Sequence, residues 1–456
     1  MIKHFITAFL LLLTLSACKD DPRVISTETS PGGLDYVLAQ VPGQEAVAIQ
    51  VAWNTDWAFR DGRKQAVPYV GAELILSGGA EGYTAAEAGE LFADLNAEGQ
   101  IFATPDYVFG YLGFDKPDME QVIALANAHL RAPALGEDWL GRITTGLART
   151  FAESGAQPAT QGFIAIRRAV LGDQPLQQAL SLSDAGMFEA VTRADVQAWV
   201  DEVITGSPFA LIVAGDLTPA EAGAAVDALF AGLPAGSGTP VRNATADFSP
   251  RRILLHLPDA GTGVLTFLAP IPPTSAGEPA DEFTDIILAQ ALGAGDQSAL
   301  FKSLRTEMRA SYGFQTGIEG YTRSQRFLYI TGQVEPERLA EAEQVVRDSY
   351  AAFRENGPSG ALEDYKAPLY QSVKQGQSDV DSLSTSALYA LLDGMSPQIP
   401  LDMKQELDAV TPERLTNRLQ TAFPEASGFI MLAVSPDAGS MPGACVITTP
   451  EEATDC

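Results

Sequence analysis

The sequence predicts an α+β protein built from two homologous halves, each a sheet with helices on one face. Three observations predict it. FALIVAGD, starting at 209, returns as FIMLAVSPD, starting at 429. The helix starts ahead of these strands match as well, Val191-Thr192-Arg193 against Val410-Thr411-Pro412. The offset is about 220 residues throughout, and a period of that size marks a duplicated domain rather than a solenoid. Each half also runs strands, then helices, then a closing strand, the order of an α+β layer pair.

The elements follow in order. Leu34 to Ala39 and Ala46 to Trp53 alternate as strands around a Pro42-Gly43 turn. Residues 54 to 66 are polar and read as a loop. Val67 to Leu76 is an apolar helix closed by Gly78-Gly79. Thr84 and Glu87 form a capping box, which opens a helix to about Asn96. Gln100 to Phe114 reads as two strands around Thr104-Pro105. Helices follow over 119–130, 139–153 and 160–171, and Thr192 caps another to Ile204. Phe209 to Ala214 is a buried strand. Thr218-Pro219 with Glu221 starts the last helix of this half, which ends near Leu233.

Residues 234–251, rich in Gly, Pro, Ser and Thr, read as a linker. The second half then repeats the first. Strands are expected at 252–257 and 262–269, and helices at 281–292 and 298–308. Strands at 311–319 and 327–333, a helix at 336–356, a late helix after Thr411 and a last buried strand at 429–434 complete it. The division expected is a signal peptide at 1–17, a flexible tether at 18–33, one half at 34–233, the linker, the other half at 252–440, and a tail at 441–456.

Phe5 to Leu15 is an apolar run of export-signal length, too short to span a bilayer. Leu15-Ser16-Ala17-Cys18 resembles a bacterial lipoprotein box, in which Cys18 becomes the lipid-bearing N-terminus. The alternative is an ordinary signal peptide with an incidental cysteine. The box implies a lipid-anchored protein of the bacterial cell envelope, on the periplasmic side. Lys19, rather than Asp, directly after Cys18 favours the outer membrane by analogy. Cys445 and Cys456 bracket the tail. In an oxidising compartment they are expected to pair, the alternative being two free thiols.

The formal charge of −29 argues against a nucleic-acid partner, since phosphates would be repelled. Outside the signal segment there are two His, His129 and His256, one in each half and neither with a second ligand at metal spacing. Each is expected to be a surface or half-buried polar residue. Neither G-x-S-x-G nor a P-loop occurs.

The layout, YVGAELILSGG at 69–79 and LGAGDQSALFKSLRTEMRASYGF at 292–314 resemble the insulinase/pitrilysin-type metallopeptidases, including mitochondrial processing peptidase. The resemblance covers residues 34 to 440 and implies the LuxS/insulinase-like fold. Active members carry H-x-x-E-H on the first helix, two His for zinc and a Glu to activate water. Here Tyr69, Ala72 and Glu73 stand at those positions. The later helix, which supplies a third ligand in the family, offers Arg149 and Thr150, with Glu153 out of register. The resemblance thus implies no metal in this chain.

Active members also bind the peptide backbone through an Arg and a Tyr of the second half, in a pattern like L-R-x₆-Y-G. Leu304-Arg305 and Tyr312-Gly313 keep it. Arg offers charge-assisted donors to carbonyls, and Tyr a directed hydroxyl that polarises the scissile carbonyl. Without the family, the same residues read as a surface Arg and a packed Tyr. Some bacterial relatives split the work between two chains, one with the zinc motif and one with the Arg–Tyr pair. The resemblance therefore implies a non-catalytic peptide-binding subunit, whose zinc-bearing partner carries H-x-x-E-H. The alternative is a binding or scaffold lipoprotein of the same fold that has left proteolysis.

Overall fold

Strand β3 (Ala46–Asn54) reads AVAIQVAWN, and seven consecutive side chains along it are buried. A strand with one wet face alternates; continuous burial requires cover on both faces. Both sheets of the protein meet that requirement, and the second cover comes from the other half of the chain. The computed structural model describes residues 23–236, 238–308 and 313–456.

The first sheet is ordered β1 (Val24–Thr29), β2 (Asp35–Gln40), β6 (Ala210–Gly215), β3, β5 (Tyr107–Asp115), β4 (Glu98–Ala103). The second is ordered β12 (Cys445–Ile447), β7 (Arg252–His256), β11 (Ile430–Ser435), β8 (Gly263–Ile271), β10 (Gln325–Val334), β9 (Phe314–Thr322). The duplication holds to the level of register. Gln50 faces Tyr111 on β5 and Ile212 on β6. Its counterpart Thr266 faces Thr331 on β10 and Leu432 on β11.

On one face of each sheet lie helices of its own half. Val67–Ser77, Met119–Arg131, Arg193–Val203 and Pro219–Leu229 build the first core. Ala280–Gly293, Ala299–Glu307, Leu339–Asn356 and Pro412–Thr421 build the second. The helix Val67–Ser77 turns Val67, Val70, Leu74 and Ile75 inward at helical spacing. Gly71 lets Trp199 lie against it, since a Cβ there would fall 2.5 Å from the indole. Gly79, at φ +84°, ends the segment in a conformation that side chains rarely adopt.

The other face of each sheet is covered by an exchange. Helix Pro158–Leu171, from the first half, lays Ala165, Ile166 and Val170 against Leu432 and Val434 of β11. A Cβ on its Gly162 would come within 2.8 Å of Val434. Helix Val380–Leu392, from the second half, lays Leu383, Ala387 and Leu388 against Ala48, Ile212 and Ala214 of the first sheet. Gln50 at the centre of β3 bonds to Thr385 at 2.9 Å across this contact.

Four expectations are corrected. Helices cover both faces, because exchange supplies the second layer. The tether expected at 18–33 gives way over 24–29 to β1, where β-branched Val24, Ile25, Thr27 and Thr29 pair with β2 and Ile25 is buried. The tail expected at 441–456 instead adds β12 to the second sheet and a short 3₁₀ turn, Pro450–Asp455, whose Ala453 is fully buried. Cys445 and Cys456 are disulfide-bonded across it. His129, expected at or near the surface, is buried among the core helices. Helices Leu362–Ser378, Val380–Leu392 and Ile399–Asp408 also fill a stretch for which the sequence predicts no element. Cys18 and the signal segment lie outside the described residues, and among those described no helix is long and apolar enough to cross a membrane.

Candidate functional site

β4 and β9 are the end strands of their sheets, each paired on one side only. Backbone N–H and C=O groups on the outer side of such a strand are a template for an added strand. The hairpins β4–β5 and β9–β10 face one another across a cleft of about 840 Å³. The two hairpin tips meet at one end of it. The Arg323 backbone N–H donates to Asp106 at 2.9 Å. The Arg323 guanidinium donates twice to Asp393 at the end of the exchanged helix, and it lies 4.7 Å from the Tyr389 ring centre. Burial would lower the basicity of Arg323, but its hydrogen bonds to Asp393 and the nearby charges of Asp393 and Asp106 together outweigh burial and raise it.

One wall of the cleft carries aromatic rings. Phe102 stacks on Phe109 at 4.8 Å and is 44% exposed, and Tyr107 lies beside them. Burial, reinforced by Asp106, pushes the Tyr107 hydroxyl up to about 12. The opposite wall is β9, with Glu319 exposed and the Tyr321 hydroxyl buried without a hydrogen-bond partner. Behind it Asp285, fully buried, accepts from Arg418 at 2.7 and 2.8 Å and pairs with Arg326 at 3.2 Å. Two arginines thus compensate the desolvation of this buried carboxylate.

Tyr69 also lines the cleft, so the first position of the degenerate motif faces the same space as β9. Its ring packs edge-on to Phe151 at 5.6 Å. Burial raises its hydroxyl pKa, partly offset by Arg167. Ala72 is buried and Glu73 exposed. Arg149, Thr150 and Glu153 on helix Glu137–Gly155 are exposed too. These residues do not fit zinc. Ala72 has no donor atom, Tyr69 holds its proton, and Glu73 alone is one carboxylate where three or four ligands are needed. Among the described residues, no group of three or more His, Cys, Asp or Glu is placed to hold a metal ion.

Arg305 does not line the cleft. It is exposed near the end of helix Ala299–Glu307, with its guanidinium 5.9 Å from the Phe301 ring centre, and Ser298 caps the helix start. Tyr312 lies outside the described residues. The sequence reading thus named Tyr69 and missed Asp106, Tyr321, Arg323 and Asp393. The only local signal for these was the Thr-Arg-Ser turn between two strands.

Residues 190–369 match a family model described as the peptidase M16 inactive domain. The match runs from the last two helices and the closing strand of the first half into the second. No curated protein matches the sequence. Among solved structures, the chain is similar to a peptidase M16 inactive domain from Pseudomonas fluorescens, at 17% identity and a TM-score of 0.79 over 91% of this chain and 98% of that one. It is similar to a protease from Helicobacter pylori at 12% identity and a TM-score of 0.74, over 91% and 100%. It is also similar to the first half of the periplasmic protease PqqL from Escherichia coli at 13% identity and a TM-score of 0.71, over 94% and 96%. At these identities the structures speak for the fold.

Proposed function

We infer that this chain, an insulinase-type (M16) peptidase homologue without the zinc motif, is the peptide-holding subunit of a two-chain peptidase. The observation that carries the reading is the pairing of an open cleft with an empty motif. Two unpaired strand edges and an aromatic wall suit an extended peptide, which adds by backbone hydrogen bonds and seats alternate side chains. Tyr69, Ala72 and Glu73 cannot hold the metal that would cut it. Chemistry is therefore assigned to a second chain with H-x-x-E-H and its zinc.

Arg305, exposed outside the cleft, would meet the stretch of peptide that extends from the cleft to the second chain. Its part is to donate to the peptide backbone, with Tyr312 as the directed hydroxyl. A lipid on Cys18 would hold the pair at the outer membrane, facing the periplasm. The test is co-purification from the native envelope. Recovery of an H-x-x-E-H chain supports the reading, and recovery of this chain alone, in active form, contradicts it.

One observation favours the other reading, a non-proteolytic binding or scaffold lipoprotein. Arg323 ties the two hairpin tips and the exchanged helix together within this chain, which resists the opening that turnover of peptides requires. Peptide binding without any peptidase partner would favour it.

A further inference from the structure

A second cavity, of about 290 Å³, lies between the first sheet and its own helices, apart from the interdomain cleft. Its wall is apolar, built from Trp53, Ile75, Leu76 and Phe92, with Gly99 leaving open space on β4. The cavity is about twice the ~150 Å³ that accepts benzene in an engineered core. His129 lines it and is 5% exposed.

The tautomer of this histidine is fixed by its partner. Nδ1 lies 2.7 Å from the Ile75 carbonyl oxygen near the end of helix Val67–Ser77. A carbonyl oxygen only accepts, so Nδ1 carries the proton and Nε2 is a bare lone pair. Nε2 is buried with no hydrogen-bond partner. An unsatisfied buried acceptor is costly and calls for a donor. No cation stands on the lining, and its one charged residue is Glu98, so an anion is disfavoured.

We propose that this cavity binds a small uncharged apolar molecule bearing one hydroxyl, a phenol or medium-chain alcohol, which donates its hydrogen bond to His129 Nε2. The apolar body fills the space beside Leu76 and Gly99. Phe92, edge-on to the imidazole at 5.7 Å, is the side chain that yields as the hydroxyl reaches the nitrogen. The site shares strand β4 with the peptide cleft but none of the cleft's lining residues.

The test is calorimetric titration of the full chain at neutral pH with 4-propylphenol and with 4-propyltoluene, in which a methyl replaces the hydroxyl. Saturable one-to-one binding of the phenol is expected, about tenfold or more tighter than the toluene, the scale of satisfying one buried acceptor. His129→Phe should remove that preference. Gly99→Ile should abolish binding of both probes without loss of fold, because a Cβ there meets only Leu76, at 3.8 Å. Absence of saturable phenol binding, a preference below tenfold, or undiminished binding by Gly99→Ile overturns the proposal.

Discussion

Arg323 grips Asp393 with two hydrogen bonds, from Nε at 2.7 Å and Nη2 at 2.6 Å, and so ties the tip of the β9–β10 hairpin to the helix that the second half lends to the first sheet. The same residue's backbone N–H holds Asp106 at the tip of the facing hairpin. One side chain and one amide therefore join three elements from both halves at the end of the cleft.

Breaking this tie should loosen the cleft more than it destabilises the chain. Both side chains are about one-third exposed, so solvent screens the pair. Asp393→Asn should cost about 1 kcal/mol. Hydrogen exchange should rise at residues 322–325 and near 389–393 while the sheet centres stay protected. Unchanged exchange there would show that the tie does not govern the cleft.

The exchanged helices predict one unfolding transition rather than two. Leu388 is 1% exposed against the first sheet although it belongs to the second half. Leu388→Ala should cost about 2–5 kcal/mol through lost burial and a residual cavity. Calorimetry should show both halves melting together at a lower temperature. Two separated transitions would contradict the exchange.

The Cys445–Cys456 disulfide closes a loop across a sequence separation of 11 residues. Reducing it, or Cys445→Ser, should cost about 2–3 kcal/mol of local stability by the loop-entropy relation. The loss should appear first as exchange in β12 and the turn Pro450–Asp455, which packs on helix Pro158–Leu171.

His129 sets a pH dependence. Burial lowers its pKa, partly offset by the bond to Ile75. Between that lowered value and the ordinary value near 6.5, the unfolded chain binds more protons than the folded one, so stability rises with pH. The contribution is fully present above about pH 6.5 and is lost as pH falls through the folded pKa. Denaturant unfolding at pH 5 and pH 7.5 should show this loss, and His129→Phe should flatten that part of the profile.

Much of the fold was legible because the strands and caps are local. Thr84, Thr192 and Thr218 each cap a helix start as expected, and all three do so through a capping box. FALIVAGD and FIMLAVSPD are the central strands β6 and β11. The exchange was not legible. The period of Val380–Leu392 shows an apolar face, but nothing local states which sheet it meets. β12 escaped notice because three residues carry no periodic signal, and β1 because polar Ser26 and Glu28 interrupt its β-branched pattern. At the site, Tyr69 could be found by counting along one helix. Arg323, Asp393 and Asp106 could not, since 217 residues separate Asp106 from Arg323 in sequence.

The most direct measurement is zinc content and fluorogenic-peptide hydrolysis for this chain alone and for any complex it retrieves from its source cells. The account predicts no zinc-dependent hydrolysis by the single chain. It predicts zinc and chelator-sensitive activity in a complex with an H-x-x-E-H chain, lowered at least about tenfold by Arg305→Ala with assembly intact, the scale of one lost transition-state donor. Stoichiometric zinc and peptidase activity in the single chain, or full activity of the Arg305→Ala complex, would contradict it.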